Sequence, residues 1–180
     1  MKYIREIIIG VVVAITIAMA FSVFPSKQSN ELQVSKVTYI ASMTCGHCAS
    51  FHKNTLPEFL EKYVNTNEVE FVFVHFPLDR IALRVSAIVE SDYITPADKE
   101  KLITELFEKQ RLWANIDTWD VEIKKIVAKY GMNESMFNSA INDRGVLTDI
   151  INKQNLYLER YKINSTPSFI FDDKVYTGNM

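Results

Sequence analysis

Ser42-Met43-Thr44-Cys45-Gly46-His47-Cys48-Ala49-Ser50-Phe51 holds both cysteines of the 180-residue chain, three positions apart. Two cysteines placed at random in such a chain would fall at that spacing about once in ninety placements, so the pair asks for a chemical explanation. Four compete: dithiol redox chemistry, metal ligation, haem attachment and a structural bridge. Covalent haem attachment needs a histidine directly after the second cysteine, where this chain has Ala49. A structural zinc site wants four ligands, usually as two pairs, and the only other soft ligands are His47, His52 and His75. A bridge across so short a loop removes little entropy from the unfolded chain. Redox chemistry is the reading the residues favour, and a metal site built on Cys45, Cys48 and a histidine is the alternative left open.

The flanking residues say how such chemistry would work. Lys36 to Ile40 is β-branched and aromatic, as in a buried strand, while Cys48 to Tyr63 carries Phe51, Leu56, Phe59, Leu60 and Tyr63 at near-helical spacing. Cys45 then sits where a strand hands over to a helix. Unpaired amides and the positive end of the helix dipole stabilise a thiolate there, and His47 adds charge or a hydrogen bond. Cys45 is the expected attacking sulfur, and Cys48, one turn into the helix and more buried, the resolving one. Pro57 predicts a kink or break near Leu56.

Further along, Val69 to Val74 reads as a second strand. Ser168 to Phe171, the pair Asp172-Asp173 and Lys174 to Tyr176 read as a β-hairpin. Between them lies a long stretch of helical pattern. It runs over Arg80 to Tyr93, over Thr95-Pro96 to about Ala114, and over a segment capped by Asp117 or Thr118 that stops at Tyr130 before Gly131. A short helix capped by Asn133 follows, through Ile141. Gly145 is expected to separate off a last helix, Val146 to Tyr161, with apolar faces at Ile150, Ile151, Leu156 and Leu158. About 120 residues separate Cys48 from Pro167, too many for a structureless loop, so a helical insertion is predicted.

Other features have plainer readings. His75 reads as a strand-end histidine, His52 as helix surface, Trp113 and Trp119 as core or groove wall, and Asp79 as a helix cap ahead of Arg80. With 20 basic and 22 acidic residues, the balanced charge offers no nucleic-acid footprint. Lys2 and Arg5 precede an apolar run from Ile7 to Phe24 that reads as an export signal. Ala18-Met19-Ala20 suits cleavage before Phe21, yet the run is also long enough to anchor the chain in a membrane if uncut. Either outcome puts the rest in an oxidising compartment, the periplasm of a Gram-negative cell, free after cleavage or tethered to the inner membrane.

The chain resembles the DsbA-like thiol:disulfide oxidoreductases of the thioredoxin fold. The resemblance lies in Ala41 to His52 around the cysteines, in Phe76-Pro77-Leu78-Asp79 and in Thr166-Pro167-Ser168-Phe169. It implies an α/β thioredoxin-like domain over 33–180 with its core at 33–79 and 163–180 and a helical insertion at 80–162. The signal peptide or anchor would occupy 1–24 and a linker 25–32. By the same resemblance Gly46 and His47 tune Cys45 and Cys48, while Pro167 is cis and faces the cysteines. Thr166 binds an extended substrate segment and lies against Cys45. The implied activity is donation of the Cys45–Cys48 disulfide to reduced, unfolded exported proteins. No cofactor or metal is needed, and a DsbB-like membrane protein reoxidises the pair; a monomer is expected. A reductase or isomerase using the same dithiol, or a copper or zinc metallochaperone, are the alternatives. Two departures stand out. Tyr39 occupies a position where the family often has a buried glutamate, and the chain stops at Thr177-Gly178-Asn179-Met180, where the family's C-terminal helix, here absent, would follow.

Overall fold

The computed structural model describes residues 34–178. The expected signal or anchor (1–24) and linker (25–32) lie outside them, as do Asn179 and Met180.

Four strands form one sheet: β1 (Ser35–Ala41), β2 (Val69–His75), β3 (Ser168–Phe171) and β4 (Lys174–Thr177), in the order β2-β1-β3-β4. β1 pairs parallel with β2, Tyr39 opposite Phe73, and antiparallel with β3, Tyr39 opposite Phe169. Because side chains alternate along a strand, the two faces of the sheet have separate cores. Tyr39, Phe71, Phe73 and Phe169 belong to one; Ile40, Val74, Phe76 and Ile170 belong to the other. The hairpin turn places Asp172 and Asp173 at φ 49° and 58°, the left-handed pair whose twist suits a two-residue connection.

Helix α1 (Gly46–Asn54) leaves the end of β1 and buries Cys48, Phe51 and His52. The break expected at Pro57 is present: α2 (Leu56–Phe59) begins afresh with proline in its first turn, followed by one π-helical turn over Leu60–Val64. The spacing from Phe51 to Leu56 is one residue too long for an unbroken helix face, and the break absorbs it.

Helices α3 (Arg80–Glu90), α4 (Pro96–Glu108), α5 (Gln110–Trp113), α6 (Trp119–Val127) and α7 (Glu134–Ala140) extend the first core, through Val85, Ile88, Leu102, Leu106, Trp113, Ile123 and Phe137. Their ends follow the chain's local chemistry. Asp79 accepts from the Ala82 N–H at 2.8 Å, Asn133 accepts from the Met136 N–H at 2.9 Å, and Gly131 stops the turn after α6 at φ 80°. The segment expected to run from Pro96 to about Ala114 divides at Lys109, whose backbone leaves helical geometry between α4 and α5.

α8 (Arg144–Tyr161) corrects two expectations. Gly145 does not separate it from the preceding segment but lies within its first turn, because Asp143 caps the helix by accepting from the Gly145 and Val146 N–H groups. Its inward face is Ile150, Tyr157 and Tyr161, a seven- and eleven-residue spacing, whereas Ile151, Leu156 and Leu158 are exposed. This face packs on β2 and the second core, so both sides of the sheet are covered by helix. No helix among the described residues is long and apolar enough to cross a membrane.

Candidate active site

Cys45 is the N-cap of α1, with extended backbone (φ −76°, ψ 116°), and its sulfur takes the place a capping oxygen usually fills. The Cys48 N–H points at Cys45 Sγ at 3.4 Å. Both sulfurs are free thiols; Cys45 is half-buried and Cys48 fully buried. From the far end of the chain, the Thr166 carbonyl lies 3.3 Å from Cys45 Sγ and receives its S–H. The Thr166–Pro167 peptide is cis. The structure thus brings together Cys45, Cys48, Thr166 and Pro167 from opposite ends of the described chain.

The two thiols are driven apart electrostatically. Cys45 is lowered from the ordinary thiol range to about 5, foremost because the Cys48 side chain hydrogen-bonds to it, with the Thr166 side chain and the Cys48 and His47 backbone amides assisting against partial burial. Cys48 is pushed the other way, first by burial and then by the neighbouring Cys45 sulfur. The Thr166 hydroxyl makes no hydrogen bond of ordinary geometry, yet it lies near enough to favour the thiolate on either sulfur.

Gly46 and His47 are exposed on the first turn. A methyl group on Gly46 would meet nothing within 4 Å, so the first turn is open to solvent there. His47 acts on Cys45 through its backbone amide. Tyr39 is fully buried beneath α1, and its hydroxyl donates to the Cys48 carbonyl at 3.5 Å. The tyrosine therefore braces the turn carrying the buried sulfur, while its own ionisation is suppressed by burial.

His52 is not helix surface. It is 7% exposed, stacked 4.1 Å from Phe107, with neither ring nitrogen hydrogen-bonded, and burial lowers it to about 4. The reason is that α1 is covered by α4, which contributes Phe107. His75 ends β2 as expected, buried with Nε2 3.3 Å from Glu90 Oε1. Among the described residues no three His, Cys, Asp or Glu side chains are arranged to hold a metal ion.

Three supporting residues were missed by sequence reasoning or seen only in part. Gln110, buried on α5, donates through Nε2 to the Met43 carbonyl at 2.8 Å and the Cys45 carbonyl at 3.0 Å. No local pattern marks a glutamine 65 residues from its partner as a clamp on the active-site turn. Asp79, besides capping α3, accepts the Thr44 hydroxyl on its second oxygen, and Ser42 accepts the Leu78 N–H at 3.3 Å. Substituting Gln110→Leu leaves buried carbonyl oxygens short of a donor and is expected to lower the urea unfolding free energy by about 1–3 kcal/mol. A loss below about half a unit of kcal/mol would remove Gln110 from this role.

Comparison with known proteins agrees with this geometry. Residues 33–180 match the family model described as Thioredoxin. A Rickettsia conorii protein, named as a protein-disulfide oxidoreductase, is 27% identical over 157 residues, covering 87% of this chain and 54% of the relative. The chain therefore spans about half the length of the curated relatives it matches. The crystal structure of Wolbachia pipientis alpha-DsbA1 superposes with a TM-score of 0.70 at 30% identity, over 79% of this chain and 73% of that one. Chlamydia trachomatis DsbA, 18% identical over 79% of this chain and 78% of its own, shares the fold with a TM-score of 0.63. A dithiol at a strand-to-helix junction, a cis-proline loop beside it, helices over both sheet faces and these matches lead to one assignment: the chain belongs to the thioredoxin family, as a DsbA-like protein.

Proposed function

We propose that this protein is an exported thiol:disulfide oxidoreductase that donates the Cys45–Cys48 disulfide to reduced, unfolded proteins. The observation that carries this reading is the contrast between the two sulfurs, Cys45 lowered to about 5 and Cys48 raised. A stabilised Cys45 thiolate stabilises the reduced form, which makes the disulfide a stronger oxidant.

In the reaction, a substrate thiolate attacks Cys45 Sγ of the disulfide. A bond forms between the substrate sulfur and Cys45 as the Cys45–Cys48 bond breaks, and Cys48 departs and takes up a proton. A second substrate thiolate then attacks the substrate's own sulfur and expels Cys45 as a thiolate. Two electrons pass from the substrate dithiol to the protein disulfide. A leaving thiol of low pKa departs faster, so the lowered value of Cys45 speeds this last step. Thr166, whose carbonyl lies beside Cys45, would pair with the substrate backbone, and Pro167 holds that loop against the sulfur.

Lys2, Arg5 and the apolar run from Ile7 to Phe24 support export to the periplasm, with 1–24 cleaved or kept as an inner-membrane anchor. The boundaries 33–79, 80–162 and 163–180 describe the domain in this reading. Reduced exported proteins are the substrates and a DsbB-like membrane protein the reoxidant, both by resemblance, and the protein works as a monomer.

Equilibration with defined glutathione ratios, followed by counting free thiols, tests the direction of electron flow. A potential well above the thioredoxin level of about −270 mV is expected. A value at or below that level would instead identify a reductase fed with electrons.

A further inference from the structure

A groove opens next to the active-site turn, lined by Asp79, Arg80, Ile81, Arg84, Ile116 and Trp119. Its apolar part is Ile81, the partly buried Trp119 ring and Ile116, which is 78% exposed. Its charge is net positive, two guanidinium groups against one carboxylate. Both Asp79 carboxylate oxygens are taken, by the Ala82 N–H and the Thr44 hydroxyl, whereas the side chains of Arg80 and Arg84 take part in no ion pair or hydrogen bond among the described residues. Asp117 and Asp120 neighbour Ile116 and Trp119 in sequence but do not line the groove. The Thr44–Asp79 bond joins the groove wall to the residue just before Cys45, so the groove continues from the site at which substrate sulfur is attacked.

We infer that this groove selects the substrate segment flanking the reacting cysteine, taking an extended polypeptide in which an apolar side chain stands next to a carboxylate. The inference rests on the proposed exchange reaction and deepens it. The apolar side chain sheds water against Ile81, Ile116 and Trp119, and the carboxylate meets Arg80 and Arg84, whose planar forks suit it. Thr166 lies on the sulfur itself, so backbone pairing there and side-chain capture in the groove act on the same bound segment. Pairing to backbone accepts any sequence; the groove supplies preference.

The test uses the oxidised full-length chain and single-cysteine peptides bearing a leucine two to four residues from the cysteine, followed by either glutamate or lysine. Each peptide thiolate attacks Cys45 and releases Cys48, and mixed-disulfide formation is timed by mass at low salt, relative to the uncharged thiol 2-mercaptoethanol. The glutamate peptide is expected to react about fivefold faster than its lysine counterpart, a ratio that shrinks as salt rises. In the doubly reversed variant Arg80→Glu/Arg84→Glu the preference should invert, a result that misfolding does not produce. Equal rates for the two peptides, or a preference untouched by charge reversal, would overturn the groove's role while leaving the exchange reaction standing. If 2-mercaptoethanol itself fails to react at Cys45, the exchange reading falls and the inference with it.

Discussion

Alkylation of the reduced protein by iodoacetamide, followed from pH 3 to pH 8, is expected to consume a single thiol with a midpoint near pH 5. That sulfur is Cys45, whose lowered value rests first on the Cys48 side chain and next on Thr166 and two backbone amides. At pH 7 it would be almost wholly thiolate, against about 3% for an ordinary thiol of pKa about 8.5. Cys48, fully buried and shifted upward, should stay unmodified in the folded protein across the range. Two substitutions separate the causes. Cys48→Ala removes the largest contribution and should move the midpoint upward the most. Thr166→Val removes a hydroxyl near both sulfurs and should move it upward by less. A midpoint in the ordinary thiol range would defeat the electrostatic account of the site. An unchanged midpoint in Thr166→Val would remove that residue from it.

Replacing His52 by phenylalanine should make the protein markedly more resistant to acid. The buried imidazole is held neutral down to about pH 4, whereas in the unfolded chain it protonates near 6.5. Below pH 6.5 the unfolded state therefore binds the extra proton, and stability falls progressively until the folded value is passed. The shift corresponds to about 3 kcal/mol of destabilisation at pH below 4, all of which phenylalanine avoids. A smaller gain at neutral pH is also expected, because both ring nitrogens lack partners and the ring is already stacked on Phe107. Urea melts of both proteins from pH 7.5 to pH 4 measure this directly. Curves that stay parallel over that window would show that His52 does not titrate with folding. His75 is shifted in the same direction by burial, opposed by Glu90, so some acid sensitivity will remain in His52→Phe.

The two cases differ in how far the sequence announces them. Cys45 could be read as a helix-cap thiolate because a strand pattern ends and a helix pattern begins around it. The strands over Lys36–Ile40 and Val69–Val74, the Asp172-Asp173 hairpin, the Pro57 break and the caps at Asp79 and Asn133 carry similarly local signals, and each is present. His52 follows its neighbours at helical spacing but is polar, so sequence periodicity puts it outside. Only the docking of Phe107 from another helix buries it. Gln110, the Thr44–Asp79 bond and the charge of the groove beside it are likewise products of distant segments meeting. The expectation that Ile151, Leu156 and Leu158 help form the apolar faces of the last helix failed for the converse reason: the second core is already filled from this helix by Tyr157 and Tyr161.

Cys45 and the Thr166 carbonyl against its sulfur are 121 positions apart. A chain emerging N-terminus first, whether from a ribosome or a translocation pore, therefore presents its cysteines long before the loop that tunes them exists. During that interval Cys45 lacks the support that the Thr166 side chain gives its thiolate, whatever its own helix supplies. That contribution is added only when the last strands arrive, so the site reaches its full acidity late in synthesis.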